Sequence, residues 1–306
     1  MGQSVFNTSK AELSNSSPKD YILLLKPRVM SLAIFTALVG QLLALDSYNK
    51  HPLLVLISLL CIALGAGAAG CINMWYDRDI DALMKRTKNR PIPQAKVDAE
   101  EALTLGITLS IISVVLLTLA SNYKAGILLL SSILFYVFIY TIWLKRKTFQ
   151  NIVIGGAAGA LPPIIGWATI TNQVSLLPIL LFLIIFFWTP PHFWALSLYT
   201  SADYKTAKIP MLPVVLGKST TISYIKRYSY LLYVTSLLPF LFGFSGQIYL
   251  AFSVVLSSVF VFKAYMLKKN DDIKAKGLFR YSIFYLFLIF FILVIDKFVL
   301  LNFNFI

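Results

Sequence analysis

The chain has 306 residues, of which 58% are hydrophobic and only 13% are charged, and its mean hydropathy is +0.78. Soluble globular proteins are roughly 45–50% apolar and about 25% charged, so this composition excludes that class. The formal net charge of +14 would suit nucleic-acid binding, but the basic residues concentrate in the links between apolar segments. The composition therefore predicts a membrane protein whose basic charge sets its orientation, without a nucleic-acid partner.

Nine apolar segments follow one another along the chain, each long enough to cross the lipid bilayer as a helix of about 20 residues. Their residues do not alternate with period two, which excludes the lipid-facing strands of a β-barrel. We therefore predict an all-α polytopic membrane protein with nine transmembrane helices. The predicted spans lie near residues 29–46, 52–72, 102–120, 125–143, 152–171, 176–197, 222–243, 247–267 and 281–301.

The basic residues in the links predict the orientation. With the N-terminus inside, the inner side carries 24 Lys and Arg residues and the outer side only Lys50, Lys124 and Lys297. The positive-inside rule then places the N-terminus in the cytoplasm. Residues 1–20 lack the apolar core of a signal peptide, so we expect a mobile polar tail followed by one transmembrane domain at 21–306. The short tail favours the inner membrane of a bacterium.

The end of the second span carries the most informative motif, Asn73-Met-Trp-Tyr-Asp77-Arg-Asp79-Ile-Asp81. A charge at membrane depth costs roughly 2.5–3.5 kcal/mol on insertion scales, so several acids there indicate a functional site. Asn73, Asp77 and Asp81 recur every four residues, which places them in one stripe along a helix. A row of oxygen ligands suits Mg²⁺ shared with phosphates, so we predict a metal–diphosphate site.

Basic side chains near the same ends of the spans are the cationic donors that a diphosphate needs. We expect at least two of them to bind it and the others to act as topology signals. The candidates are Lys26, Arg28, Arg86, Arg90, Lys145 and Arg146. Asp79 lies on another side of the helix than Asp77 and is expected to pair with a base such as Arg78 or Arg86.

A second acidic loop follows the sixth span at Asp203 and is a weak echo of the first. Both loops continue into basic residues and Pro-containing turns, Arg90-Pro-Ile-Pro93 and Ile209-Pro-Met-Leu-Pro213. Because four spans separate the loops, both emerge on the same side of the membrane. A pseudo-repeat of four-helix units would bring them together over a central cavity.

His192 lies in the aromatic run Trp188-Thr-Pro-Pro-His192-Phe-Trp194, near the inner end of the sixth span. A lone histidine in such a setting is more often a hydrogen-bonded core residue. Axial ligation of a haem iron is one of the few functions that require an imidazole there. The residues alone leave both interpretations open.

Together these motifs resemble those of the UbiA superfamily of intramembrane prenyltransferases and, within it, the branch that farnesylates haem. The resemblance covers about residues 20–300. The segments that carry it are Asn73-x3-Asp77-x3-Asp81, Tyr140-Thr…Leu-Lys145-Arg146…Thr148, Gly155-Gly156-x2-Gly159-Ala-x-Pro162-Pro163, Pro191-His192-Phe-Trp194 and Asp203-Tyr…Ile-Pro210-Met-Leu-Pro-Val-Val215. One departure is Ala207, which stands where the superfamily usually has a second aspartate in its second motif.

The resemblance implies helices around a cavity that the two aspartate loops cap from the cytoplasm. It implies that farnesyl diphosphate binds with Mg²⁺ at Asn73, Asp77, Asp81 and Asp203, with the metal held mainly by the first motif. Protohaem IX would be the acceptor: one vinyl group attacks the farnesyl cation, and water completes the addition to give haem O. A downstream haem A synthase is an implied partner, and His192 becomes a candidate haem ligand.

Two alternatives are weighed against this function. A related prenyltransferase could use another acceptor, such as 4-hydroxybenzoate or a chlorin, but His192 and the missing second aspartate favour haem. A transporter would carry acids along its spans, whereas no span centre here contains one. Four aromatic residues are candidates either for stabilising the farnesyl cation or for an interfacial belt: Trp75, Tyr76, Tyr140 and Trp143.

Overall fold

The computed structural model describes residues 16–45 and 50–303, which form helices and connecting links with no strand among them. Residues 1–15 of the predicted tail lie outside the described part, and its predicted end at residue 20 falls inside the first helix. The helices are α1 (Pro18–Leu24), α2 (Pro27–Ala44), α3 (Pro52–Tyr76), α4 (Arg78–Leu83), α5 (Ala99–Ala120), α6 (Tyr123–Leu134), a π-helix (Phe135–Leu144), α7 (Asn151–Ala160), α8 (Pro162–Thr171), α9 (Leu176–Tyr199), α10 (Ser201–Thr206), α11 (Leu212–Val215), α12 (Gly217–Leu241), α13 (Gln247–Tyr265) and α14 (Asp272–Phe303).

Eight helical segments in the described part of the chain are long and apolar enough to cross a membrane. They confirm the all-α membrane fold and match eight of the predicted spans. The remaining predicted span, 222–243, lies within α12, a 25-residue helix that packs against α9 and α13. Lys218, Lys226 and Arg227 make the first half of α12 more polar than the other spans, so a total of nine crossings stays a prediction.

Two of the spans are not uniform α-helices. The fifth breaks at Leu161, between α7 and α8, because Pro162 and Pro163 cannot continue a helix. The fourth changes from α-helix to π-helix over Phe135–Leu144, which the sequence pattern did not indicate. Long π-helical stretches are rare, and short ones often lie at functional sites.

The two largest clusters of buried apolar side chains lie between the helices. One joins α9, α12, α13 and α14, and the other joins α3, α5, α6 and α8. Helix α2 contributes to both, with Val39 and Leu43 in the first cluster and Ala37 in the second. The position of α2 against α8 therefore fixes how the two halves of the bundle meet.

Two glycines allow α2 and α8 to touch through their backbones. A Cβ atom at Gly166 would overlap the carbonyl group of Ala37, and one at Gly40 would overlap that of Pro163. Because the obstacle is backbone in both cases, it cannot rotate away as a side chain could. Small residues permit this close approach of helices in membranes.

At the end of the bundle opposite α4 and α10, α14 anchors two other helices through adjacent charged residues. The buried Asp296 accepts the backbone N–H groups of Gly246 and, at 3.1 Å, Tyr249 at the start of α13. Lys297 Nζ donates to the carbonyl oxygen of Leu43 at 2.6 Å, near the end of α2. An acid at a helix N-terminus and a base at a helix C-terminus interact favourably with the helix dipole. These two charges therefore have a structural explanation.

We expect Gly166→Ala to destabilise the protein by about 1–3 kcal/mol, because the added methyl group must separate α2 from α8. Thermal unfolding in detergent, followed by size-exclusion chromatography, measures the change. Gly159→Ala is the matched control, since a Cβ there meets nothing within 4 Å. Equal melting temperatures for the two variants would contradict the backbone contact.

Candidate active site

The first acidic motif keeps helical register where α3 passes into α4. The backbone N–H of Asp77 donates to the carbonyl oxygen of Asn73 at 3.0 Å. The backbone N–H of Asp81 donates to the carbonyl oxygen of Asp77 at 2.8 Å. All three side chains are buried, and Asp77 is completely inaccessible at 0% exposure. The structure thus forms the predicted stripe, and it encloses the stripe in protein.

Two lysines approach this stripe from different helices. Lys26 Nζ donates to Asn73 Oδ1 at 2.5 Å, and Asn73 Nδ2 donates to Asp77 Oδ2 at 2.7 Å. Lys145 Nζ donates to the same Asp77 oxygen. Asn73 Nδ2 also donates to Thr141 Oγ1 at 3.0 Å. Because an ammonium group can only donate, Lys26 fixes the amide oxygen of Asn73 toward itself.

The second carboxylate oxygen of Asp77 has a different environment. Oδ1 is buried and accepts no hydrogen bond from any described residue, and Arg146 Nη2 lies 3.7 Å from it. Buried polar atoms nearly always have a partner, and a free carboxylate oxygen is the ligand type that Mg²⁺ prefers. Oδ1 therefore fits a divalent cation.

The protein does not supply a complete set of metal ligands by itself. No three acidic, histidine or cysteine side chains converge on one point anywhere in the described residues. Mg²⁺ is commonly bound by one or two carboxylates together with substrate phosphates. The geometry therefore suits a metal that arrives with a diphosphate.

Asp81 pairs with a base from the link after α4. Arg90 Nη1 donates to Asp81 Oδ2 at 2.5 Å. Thr87 Oγ1 donates to the carbonyl oxygen of Asp81 at 3.0 Å. The backbone N–H of Arg90 donates to the carbonyl oxygen of Thr87 at 2.9 Å. These bonds fold the link back over α4, so that the guanidinium reaches the stripe.

Three bases now surround two buried acids, which leaves an excess of positive charge. The pKa of Lys26 is lowered to about 7, mainly because the residue is buried and also because the neighbouring cations Arg90 and Lys145 outweigh the anions Asp77 and Asp81. Cations that disfavour one another in this way are stabilised by an added anion. The site therefore has the electrostatic character of an anion-binding site.

Asp79 points away from the stripe, as predicted, but its partner is Arg146 and not Arg78 or Arg86. Arg146 donates to both oxygens of Asp79, at 2.8 and 2.7 Å, and to the carbonyl oxygen of Tyr76 at 3.0 Å. These bonds hold the pKa of Asp79 below its usual value and raise that of Arg146. The predicted partners were wrong: Arg78 instead donates to the carbonyl oxygen of Trp75 in α3, at 2.8 Å, and Arg86 is exposed and forms no ion pair with a described residue.

The π-helix sets the positions of Thr141 and Lys145. The N–H of Lys145 donates to the carbonyl oxygen of Tyr140, five residues earlier, at 2.9 Å. This wider turn brings Thr141 to Asn73 and Lys145 to Asp77. The ring of Tyr140 lies over Gly155, where any side chain would overlap it.

The second acidic loop packs against the first, as the sequence echo predicts. Ile80 and Met84 share one buried cluster with Tyr204, Ile209 and Met211. A cleft of about 330 Å³ lies between the loops. It is lined by Asp79, Ile80, Leu83, Arg146, Thr206, Ala207 and Lys208.

Asp203 is not joined to the acid–base chain. It is half-buried in α10, and its carboxylate makes no hydrogen bond or ion pair with a described residue. Arg28 and Arg86 are exposed and likewise form no ion pair within the described part of the chain. Of the six predicted phosphate donors, four lie within the network, namely Lys26, Arg90, Lys145 and Arg146.

His192 lies apart from the acidic motif, between α9 and α14. Its ring stacks on Trp188 and Phe279, with centroid distances of 4.3 and 4.7 Å. Its Nδ1 atom lies 2.6 Å from Ser282 Oγ, and the residue is only 7% exposed. The structure therefore does not place His192 in contact with Asp77.

Two polar residues of the site were not among the predicted ones. Thr141 is fully buried against Asn73, and Asn151 donates to the carbonyl oxygen of Lys145 at 3.2 Å while its own Oδ1 has no described partner. Thr141 precedes Lys145 by one turn, and Asn151 begins the next helix. Both residues lie close to Lys145 and Arg146 in the sequence, and this closeness could have indicated that they belong to the site.

Comparison with known proteins now identifies the family. The model of the UbiA prenyltransferase family matches residues 33–293. The chain belongs to this family. It is 53% identical over 289 residues to a protein named protoheme IX farnesyltransferase from Rickettsia bellii, which covers 94% of this chain and 96% of that protein. A protein of the same name from Rickettsia canadensis is 51% identical and covers 96% of both chains.

Solved structures support the same fold. A digeranylgeranylglyceryl phosphate synthase superposes with a TM-score of 0.75 over 91% of this chain and 97% of its own, at 19% identity. A UbiA homolog from Archaeoglobus fulgidus bound to DMAPP and Mg²⁺ superposes with a TM-score of 0.66 over 90% and 99%, at 18% identity. The UbiA-type fold predicted from the motifs is thereby confirmed.

We expect Lys145→Met to destabilise the protein by about 3–5 kcal/mol, because it leaves the buried Asp77 carboxylate without its ion-pair partner. Denaturant titration in detergent measures the loss. The double variant Asp77→Asn/Lys145→Met should recover most of it, and Lys147→Met, at an exposed position, should have no effect. Full stability of Lys145→Met would show that the pair is not needed to bury Asp77.

Proposed function

We propose that this protein transfers the farnesyl group of farnesyl diphosphate to a vinyl group of protohaem IX, with addition of water, giving haem O and diphosphate. The observation that carries the proposal is the buried row of Asn73, Asp77 and Asp81 with its three bases. The relatives that are more than half identical over nearly the whole chain carry a name that specifies both the donor group and the acceptor.

The diphosphate would bind between the acidic row and the bases. Lys26, Lys145 and Arg90 now donate to protein oxygens and would exchange these for diphosphate oxygens of higher negative charge. The carboxylates released by this exchange, with Asn73, would hold Mg²⁺, and Asp203 would join them directly or through water. When bound, Mg²⁺ neutralises charge on the leaving diphosphate.

The chain's own bases then assist cleavage of the allylic C–O bond. As the bond breaks, negative charge builds up on the leaving oxygen, and preoriented ammonium and guanidinium donors stabilise it. Arg146 is already held by Asp79 and Tyr76 next to Asp77, so its position costs no reorganisation. The cationic donors thus act on the transition state more than on the bound substrate.

Aromatic rings near the row would stabilise the farnesyl cation. Tyr136 and Tyr140 stack with a centroid distance of 5.3 Å, and both lie on the π-helix that ends just before Lys145. An aromatic face contributes about 0.5–2 kcal/mol to a nearby cation, depending on desolvation. Trp143 is exposed on the outside of the bundle, as expected for an interfacial belt.

Protohaem would bind along α9, with His192 as an axial ligand of its iron. The imidazole is held by two aromatic rings, which fits a rigid ligand. No protein nucleophile is required, because the vinyl carbon itself attacks the cation. We further propose that the α4 and α10 loops face the cytoplasm at a bacterial inner membrane, and that a haem A synthase consumes the product.

The direct test is to incubate the purified protein with protohaem, farnesyl diphosphate and Mg²⁺ and to analyse the haems by mass spectrometry. We expect a Mg²⁺-dependent haem that is heavier by a farnesyl group plus water. Asp77→Asn should reduce its formation by at least about a hundredfold, since it removes the charge that pairs with both metal and lysine. Glu100→Gln, at an exposed position on α5, is the control.

Other outcomes have definite meanings. Farnesyl transfer to 4-hydroxybenzoate or a chlorin, with haem unchanged, would support the acidic site as the diphosphate site and would show that the proposed acceptor is wrong. Undiminished activity of Asp77→Asn would remove this residue from the metal site. The absence of transfer to any acceptor would contradict the proposed function.

A further inference from the structure

Ser282, on α14, forms the only hydrogen bond of the His192 side chain within the described part of the protein. Its hydroxyl lies 2.6 Å from His192 Nδ1 and 2.6 Å from the carbonyl oxygen of Phe279, one turn earlier. Two oxygen atoms at such a distance need a hydrogen between them. The single hydroxyl hydrogen of Ser282 is therefore used on Phe279.

This arrangement decides which nitrogen of the imidazole carries its proton. Since the Ser282 hydroxyl has no second hydrogen to give, His192 Nδ1 must be the donor in their contact. A neutral imidazole protonated at Nδ1 has a free lone pair at Nε2. Nε2 forms no hydrogen bond with a described residue, and it is not among the fully buried polar atoms without a partner, so its lone pair is accessible to a ligand.

The direction of the ring is fixed as well. Trp188 and Phe279 cover its two faces, and Trp188 Nε1 donates to the carbonyl oxygen of Ser282 at 2.7 Å. One residue of α14 thus holds both the imidazole and the tryptophan that stacks on it. Metal-binding histidines show the same arrangement, in which an outer partner accepts the other N–H and strengthens the ligand.

We propose that Ser282 is a positioning residue that holds His192 in the Nδ1–H tautomer, so that Nε2 ligates the iron of a metalloporphyrin substrate. This inference rests on the proposed function in assigning the iron to His192. It adds that the acceptor site is completed by α14, a helix that carries none of the motif residues. The hydrogen bond also raises the electron density at Nε2 and so strengthens the iron–nitrogen bond.

The test is a haem titration of the full-length protein in detergent, with the iron–histidine stretch of the ferrous complex recorded by resonance Raman spectroscopy. Ser282→Ala should lower haem affinity about tenfold or more and shift the stretch to lower frequency. Ser282→Thr keeps the hydroxyl and should restore both. Ser253→Ala is the matched control, because Ser253 is equally buried and also donates to a carbonyl three residues earlier, at 2.9 Å.

His192→Ala and the product assay separate the two hypotheses. If His192→Ala abolishes the iron–histidine band and Ser282→Ala leaves it at the wild-type frequency, the role of Ser282 is wrong. If His192→Ala leaves the spectrum unchanged, the iron has another ligand and the inference is overturned with it. Haem O formation by the wild-type protein in either case would show that the proposed reaction stands independently.

Discussion

The ion pair between Asp77 and Lys145 is the interaction on which the rest of this structure depends. A completely buried carboxylate is tolerated only when it is paired and hydrogen-bonded, and here the pairing requires the end of α3 to meet the end of the π-helix. Lys145 reaches Asp77 because the preceding span ends in a π-helix, and that π-helix fits because Gly155 leaves room for Tyr140. The charged site therefore depends on the close packing of α7 against the π-helix.

Most charged residues of the candidate site pair with one another in this structure. Asp77 and Asp81 each have a basic partner, and Lys26, Lys145 and Arg90 each donate to a protein oxygen that a phosphate oxygen would replace under the proposed function. The surplus positive charge suits a diphosphate, and Asp77 Oδ1, which accepts no hydrogen bond from a described residue, suits a divalent cation; together they favour the proposed metal diphosphate as the ligand. Asp296 differs from these acids, because both of its carboxylate oxygens accept backbone N–H groups at the start of α13.

Much of this could be predicted from the sequence, because hydropathy, prolines and charge asymmetry act locally. The spans, the break at Pro162 and the stripe from Asn73 to Asp81 are of this kind. The π-helix and the partner of Asp79 depend on contacts between distant segments, so no local pattern contained them. The contact between Ser282 and His192 could not be predicted for the same reason, since it joins residues 90 positions apart in the sequence.

The most direct measurement is a calorimetric titration of the purified protein with Mg²⁺, with diphosphate and with both, corrected for complex formation measured without protein. If the lysines and the metal compete for the same carboxylates, each ligand alone binds weakly and each raises the affinity of the other by about tenfold or more. Lys145→Met should strengthen the binding of Mg²⁺ alone, because Asp77 is then released. Tight binding of Mg²⁺ alone to the wild-type protein, unchanged by diphosphate, would contradict the account.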